Sequence, residues 1–159
     1  MLIFIGPAFS ENGETGTGET QQVLGIDHYM PKDYAGVFNL FKKAADQGDV
    51  SAQFNLGVMY FEGKGVPQNY VEAFNWFKKV ADQGNSNAQY NLAVGYSKGR
   101  GVPINYKKAY IWYSLASAQG HEKAKHNISV IEPKMTPQQI AEAQKEAAEL
   151  WENSKNKLN

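Results

Sequence analysis

The side chains that could do covalent or metal chemistry are few and badly placed for it. A Ser-x-x-Lys pair, the minimum of one class of activated-serine site, occurs at Ser154 and Lys157. It lies in a polar tail beyond the last apolar residue of the expected final helix, where nothing would desolvate or orient the pair, and no Ser-Asp-Asn or Lys-Thr-Gly accompanies it. The histidines are His28, His121 and His126. The last two are five apart, which does not place them on one helical face as an i, i+4 metal pair requires. There is no cysteine, so no disulfide framework and no thiolate metal site can form. Gly13, Gly16 and Gly18 make no phosphate loop, since no strand precedes them and no Gly-Lys-Ser/Thr follows. No metal or cofactor is expected, and the residues point away from an enzyme.

The one chemistry that recurs is amide hydrogen bonding. Asn55 and Asn91 stand at the same place in a repeat, and a side-chain amide, with one acceptor and two donors, matches a peptide group. The favoured role is nevertheless a structural bond to a neighbouring loop, with the cost of a buried unpaired amide if that bond fails, and peptide binding is the alternative.

The elements that position them follow from a period of 36 residues. It links Tyr34, Tyr70 and Tyr106; Phe38, Phe74 and Tyr110; Phe41, Phe77 and Tyr113; Ala52, Ala88 and Ala124; and Gln47-Gly48, Gln83-Gly84 and Gln119-Gly120. From Tyr70, the residues Ala73, Phe74, Phe77, Val80 and Ala81 follow helical spacing, with Asn69 as N-cap and Gly84 as terminator. A second helix is expected over 86–97. The loop Lys98-Gly99-Arg100-Gly101-Val102-Pro103 then stops it, since glycine allows positive φ and proline ends helices. One such helix pair cannot bury its apolar faces, but stacked copies can. Trp76 and Trp112 share a position with Leu40 and read as core. Lys42-Lys43 and Lys78-Lys79, balanced by Asp46 and Asp82, read as a solvated helix face.

The stretches Ala52-Gln53-Phe54-Asn55-Leu56-Gly57-Val58-Met59-Tyr60, Gly63-Lys64-Gly65-Val66-Pro67 and Trp76-Phe77-Lys78-Lys79-Val80-Ala81-Asp82-Gln83-Gly84 resemble the Sel-1-like repeat, a cousin of the tetratricopeptide repeat. The resemblance covers roughly residues 30–130. It implies an all-α, right-handed solenoid of about three helix pairs that acts as an adaptor, binding a protein or peptide segment in a concave groove. Carried over by position, that groove takes Phe54, Asn55, Val58 and Phe61 from one helix and Tyr90, Asn91, Val94, Ser97 and Lys98 from the next. Lys123 and His126 are weaker candidates in a third. Phe54 and Tyr90 have the alternative of packing between helices. A small-ligand or glycan binder is the second reading, and an exported enzyme of the β-lactamase or penicillin-binding type the third. Exported members often carry a disulfide in each repeat; this chain has none.

The third unit departs from the pattern after Asn127, where Ser129 stands in place of Gly57 and Glu132 in place of Tyr60. Thr136-Pro137-Gln138-Gln139 is a capping box with proline at the first helical position. A helix over 137–153, with Ile140, Ala143, Ala147, Leu150 and Trp151 on one side, is expected to lid the last repeat, with Glu142, Glu146 and Glu149 facing water. The domain plan is therefore a solenoid over 23–135, a capping helix over 136–153 and a tail over 154–159.

Ahead of the solenoid, residues 1–10 carry an apolar core and then Ala8 and Ser10, the small-residue spacing of a secretory cleavage site. The missing positive leader points to a start upstream of Met1; a plain apolar strand or tail is the alternative. Residues 11–22, rich in Gly, Thr and Glu, read as a linker. These features favour a periplasmic or secreted protein, with a cytoplasmic one as the alternative. The formal net charge of +0 gives no global attraction for nucleic acid. No apolar stretch is long enough to insert stably in a membrane. A monomer is favoured.

Overall fold

The computed structural model describes residues 33–156; the expectations for the leader, the linker and the first part of the solenoid segment lie outside them. Among the described residues there are seven α-helices: α1 (Tyr34–Asp46), α2 (Val50–Glu62), α3 (Tyr70–Ala81), α4 (Ser86–Lys98), α5 (Tyr106–Ala118), α6 (Glu122–Ile131) and α7 (Pro137–Asn156), with a 3-10 turn at Glu132–Lys134 before α7. The expected helix starts at Tyr70, Ser86 and Pro137 are those observed, and α7 runs three residues beyond its expected end.

The caps carry the 36-residue period into local structure. Asp33, Asn69 and Asn105 start α1, α3 and α5, each side chain accepting first-turn amide protons. Asp49, Asn85 and His121 do the same for α2, α4 and α6, accepting from Ala52, Ala88 and Ala124 at 2.7, 3.0 and 3.3 Å. Each such bond satisfies an amide that the helix itself leaves unpaired. The loops after α2 and α4 fold back on the start of the preceding helix. There Gly65 and Gly101 have φ of +73° and +79°, and a Cβ on either would overlap the carbonyl oxygen of Tyr34 or Tyr70. Only glycine meets both demands.

Each helix from α1 to α5 packs against its successor, so the chain zigzags as an α-solenoid. The largest apolar cluster includes Val80, Leu92, Tyr110, Tyr113 and Ala124 and takes in residues of α3 to α7. Aromatic pairs repeat with the period: Phe38 meets Tyr60 edge-on at 5.4 Å, and Phe74 meets Tyr96 at 5.1 Å. A polar ladder repeats too. Buried Gln53 and Gln89 donate to the carbonyls of Ala45 and Ala81, and accept from Gln83 and Gln119 of the next unit. Burying an amide is costly unless it is bonded, and here each glutamine bonds on both sides.

The expected lid is present, and it lies on the first helix of the last unit. α7 packs on α5 rather than pairing with α6. The physical reason lies in two positions on α5 and three on α6. On α1 and α3 the outward residues Asn39, Lys43, Asn75 and Lys79 are exposed, whereas their α5 counterparts, Ile111 and Leu115, are buried in one cluster with Ala143 and Ala147. On α6, Lys125, His126 and Ser129 replace Gln89, Tyr90 and Ala93 of α4 and are exposed. The solenoid thus ends on α6 by becoming polar, and α7 covers the apolar stripe on α5.

The docking is supported at its edges. Thr136 and Gln139 bond reciprocally, amide to side chain, at 2.9 and 3.2 Å. Lys107 reaches Glu142 at 3.1 Å and Glu146 at 3.6 Å. Gln144 donates to the Tyr110 hydroxyl, which faces Glu132, the residue standing where Tyr60 and Tyr96 stand in other units. One expectation for α7 needs correction: Leu150 is 41% exposed. Glu142 and Glu146 face water as expected and are ion-paired there as well.

Candidate functional site

The aromatic and aliphatic part of the sequence-derived groove set is largely taken up by packing between helices. Phe54 lies against Phe77 with ring centroids 5.7 Å apart. Phe61 lies against Tyr70 at 5.3 Å, with the Arg100 guanidinium 5.1 Å from its ring. Both phenylalanines are half-buried. Val58, Tyr90 and Val94 are buried, at 7%, 6% and 2% exposure, and offer a partner almost no surface. A solenoid helix contacts a neighbour on each side, which is why apolar residues at these positions turn inward. Tyr90 stacks on the His121 ring at 4.5 Å and tilts toward Tyr113 at 5.7 Å. Ser97 is half-buried, donating to the Val94 carbonyl at 3.1 Å with its hydroxyl 3.3 Å from that of Tyr113. Lys98, Lys123 and His126 are exposed.

What remains accessible forms a stripe. Residues separated by four, seven and eleven share one face of a helix. On α4 these are Asn87, Asn91 and Lys98, with Val94 beneath; on α2, Ser51, Asn55 and Glu62 over Val58; on α6, Lys123, Asn127 and, just past the helix, Lys134 beside Val130. The middle row is therefore Asn55, Asn91 and Asn127, one amide per helix. The three differ in what holds them. Asn127 donates to the Tyr113 hydroxyl at 3.1 Å. Asn55 and Asn91 are half-buried and make no side-chain hydrogen bond among the described residues. The residues that correspond to Tyr113 in the earlier units are Phe41 and Phe77, which have no hydroxyl to offer.

Three lysines stand at the edges of the stripe, and Lys98 and Lys123 have contacts within the chain. Lys98, Lys123 and Lys134 are exposed. Among the described residues the stripe has one carboxylate, that of Glu62; its oxygens are buried and face the Lys64 ammonium at 3.0 Å, an ionic contact without hydrogen-bond geometry. The Lys134 ammonium lies 5.2 Å from the Tyr106 ring centre.

His121 borders the stripe and was not among the expected site residues. Its Nδ1 accepts the Ala124 amide proton at 3.3 Å, so the ring proton sits on Nε2. Burial, with the nearby Lys123 charge adding to it, holds the imidazole below its usual range. Asn87 and Ser51 were also missed; stepping by four, seven and eleven from each repeated asparagine would have found them. Ser154, the nucleophile of the Ser-x-x-Lys pair, is exposed on the last turns of α7 and donates to the Trp151 carbonyl at 2.7 Å. Lys157 lies outside the described residues.

Three copies of the Sel1 repeat match the chain, at residues 24–49, 50–85 and 86–121. The second and third copies open on α2 and α4, one helix later than a count from Tyr34. No curated protein matches. Among solved structures, the chain is similar to c5321, described as a protective antigen present in uropathogenic Escherichia coli strains and displaying an SLR fold. The identity is 32% and the TM-score 0.70, over 86% of this chain and 32% of that one. It is also similar to a Sel1 repeat protein from Oxalobacter formigenes, at 30% identity and TM-score 0.62, over 81% of this chain and 54% of that one. The chain thus spans about a third and about half of these two proteins. With the 36-residue period, the stacked helix pairs and three matching copies of the repeat, the chain belongs to the Sel1 repeat family.

Proposed function

We propose that the chain is a non-catalytic adaptor that holds an extended segment of a partner protein along the α2–α4–α6 stripe, which forms the concave groove of the solenoid. Sel1 repeats generally mediate protein–protein interaction, which supports the coarse reading. The observation that carries the finer one is the difference among the three asparagines. An amide that only completed the fold would be bonded in every unit, as Asn127 is by Tyr113. Asn55 and Asn91 keep donors and acceptor for something outside the fold, and a peptide backbone presents the complementary set. Half-burial raises the value of such bonds over those made in open water.

The test is a pull-down from the native extract with the folded chain and with an Asn55→Ala, Asn91→Ala variant of unchanged melting temperature. Capture by the first and loss with the second supports groove binding. Equal capture by both overturns it, because the bound partner then sits elsewhere. Tyr90 and Val94 are left alone in this test, since their truncation would open the core.

Export is part of the same proposal, on the strength of the Ala8 and Ser10 spacing. N-terminal sequencing of natural material checks it: a mature start at Glu11 supports export, and an intact Met1 overturns it.

A further inference from the structure

We infer that His121 is an acid-operated latch on α6: its neutral ring holds the first turn of that helix in place, and its protonated ring lets that turn and Asn127 come loose. The latch rests on the groove reading only in what it controls. His121 stands where three helices meet. As the N-cap of α6 its Nδ1 lies 3.3 Å from the Ala124 amide, which also reaches the His121 carbonyl at 3.0 Å. The same ring stacks on that of Tyr90 from α4, with centroids 4.5 Å apart and planes 15° from parallel. Tyr90 is buried and tilts toward Tyr113 of α5 at 5.7 Å. The Tyr113 hydroxyl in turn holds the Asn127 amide at 3.1 Å, one turn into α6. The imidazole thus closes a ring of contacts that runs from α6 through α4 and α5 and back to α6.

Only the neutral ring can make the cap. A nitrogen that carries a proton donates and cannot accept, so protonation of Nδ1 sets one N–H against another. The new charge also falls at the start of a helix, the end that disfavours cations. The counterpart caps bring out the contrast: Asp49 is an anion and Asn85 does not titrate. His121 acts as Asn85 does when neutral, and as the reverse of Asp49 when charged. The titratable groups around it are the Tyr90 phenol on α4, that of Tyr113 behind it on α5, and Glu122, Lys123 and Lys125 on α6. Burial disfavours the charged ring most; a bond to its own backbone works the other way, and the Lys123 charge adds to burial. The Tyr90 face offsets part of this, since an aromatic face attracts a cation. The latch is therefore whole above about pH 6.5, the ordinary histidine value, and weakens as pH falls through the lower folded value. Little else ties down the first turn. Ala124 is buried, but Glu122, Lys123, Lys125 and His126 are exposed, and Asn127 has no side-chain hydrogen bond other than that to Tyr113 among the described residues. In acid, a segment held along the groove keeps the amides of α2 and α4 and loses its support at α6.

The experiment is a titration of the whole, isotope-labelled chain from about pH 7.5 to 5, followed by nuclear magnetic resonance at the His121 ring, the Ala124 backbone amide and the Asn127 side-chain amide. All three signals are expected to move with one midpoint. Below it, hydrogen exchange at Ala124 is expected to run roughly fivefold faster than in His121→Asn at the same pH, the size of a lost cap. His121→Asn and His121→Asp, which carry the caps of the other units, are expected to leave Asn127 flat through this range. His126→Gln, which removes the other histidine of α6, is expected to keep the inflection. An Asn127 signal that stays flat through the His121 midpoint, or an inflection that survives both His121 variants, overturns the latch. A response at Ala124 without one at Asn127 overturns it too, because His121 then caps the helix and controls nothing on the stripe. None of these signals needs a partner, so the groove reading stands or falls separately, on the asparagine pull-down.

Discussion

Tyr113 and His121 are the two residues at which the third unit departs most usefully from the others. The Tyr113 hydroxyl takes the Asn127 amide and meets Ser97, where Phe41 and Phe77 leave their asparagines unbonded. Tyr113→Phe should cost about 1 kcal/mol of stability, a typical figure for a lost hydrogen bond, and should free a third amide on the stripe. Thermal melts read the first effect. Capture of the partner in the pull-down reads the second and is expected to rise. His121 caps α6 with an unprotonated nitrogen, in a place where units one and two use Asp49 and Asn85. Its folded-state pKa is lowered, by burial first and by Lys123 next. A lowered pKa means that the stabilisation is whole above the ordinary value of about 6.5 and is lost as pH falls through the folded value. Melting temperatures at about pH 7.5 and 5.5 should therefore fall further for the wild type than for His121→Asn, which keeps a cap that does not titrate. Equal drops would place the acid sensitivity elsewhere.

At the scale of elements, α7 is the part whose role the packing explains best. It covers Ile111 and Leu115, and burying an aliphatic side chain of this size is worth about 1.5–3 kcal/mol. Deletion of residues after Pro133 should leave this stripe bare and cause self-association, measured by light scattering. The same truncation carrying Ile111→Asn and Leu115→Lys, the residue types that α3 already exposes at Asn75 and Lys79, should stay monomeric. If it aggregates as well, the stripe is not what α7 protects. The Lys107 ion pair adds a pH window. Bonding to Glu142 raises the lysine and lowers the glutamate. The glutamate's contribution is present above its ordinary pKa and lost as pH falls below it; the lysine's is present below its ordinary pKa and lost above. Docking of α7 is thus firmest between about pH 5 and 10. Both groups are exposed, so salt should weaken this edge.

For the whole molecule, the stability of a solenoid is a sum over neighbouring pairs. Because α1 meets α2 as α3 meets α4, removal of residues 50–85 joins Asp49 to Ser86 and rebuilds the same kind of contact. The glutamine ladder supports this: Gln89 would find the Ala45 carbonyl in place of Ala81, as Gln53 does now. The shortened chain is expected to stay helical by circular dichroism, to melt at a lower temperature and to keep α7 docked. Unfolding at room temperature would mean that the units are not interchangeable. The deletion also removes Asn55, so a partner that spans two free amides should be lost.

The period, the helix positions, the caps and the glycine loops were legible in the sequence, because each is a local demand. A helix start needs an acceptor, a tight return needs positive φ, and a repeated fold repeats both every 36 residues. The all-α solenoid followed from these alone. The candidate site was legible only in part. Asn55, Asn91 and Lys98, chosen by position, do remain accessible, but Tyr90 and Val94 were assigned to the same surface although they are buried. Spacing along one helix shows which residues share a face, and it does not show how many neighbours cover that face. The place of α7 was likewise decided by tertiary packing. Its own pattern specified an amphipathic helix, and the choice of α5 over α6 depended on Ile111 and Leu115, apolar residues far from α7 in the chain. The sequence by itself determined the local grammar and the number of units. The tertiary structure decided which amides stay unbonded, which lysines share an edge and what the last helix covers, because burial and hydrogen-bond satisfaction belong to pairs of elements rather than to any one of them.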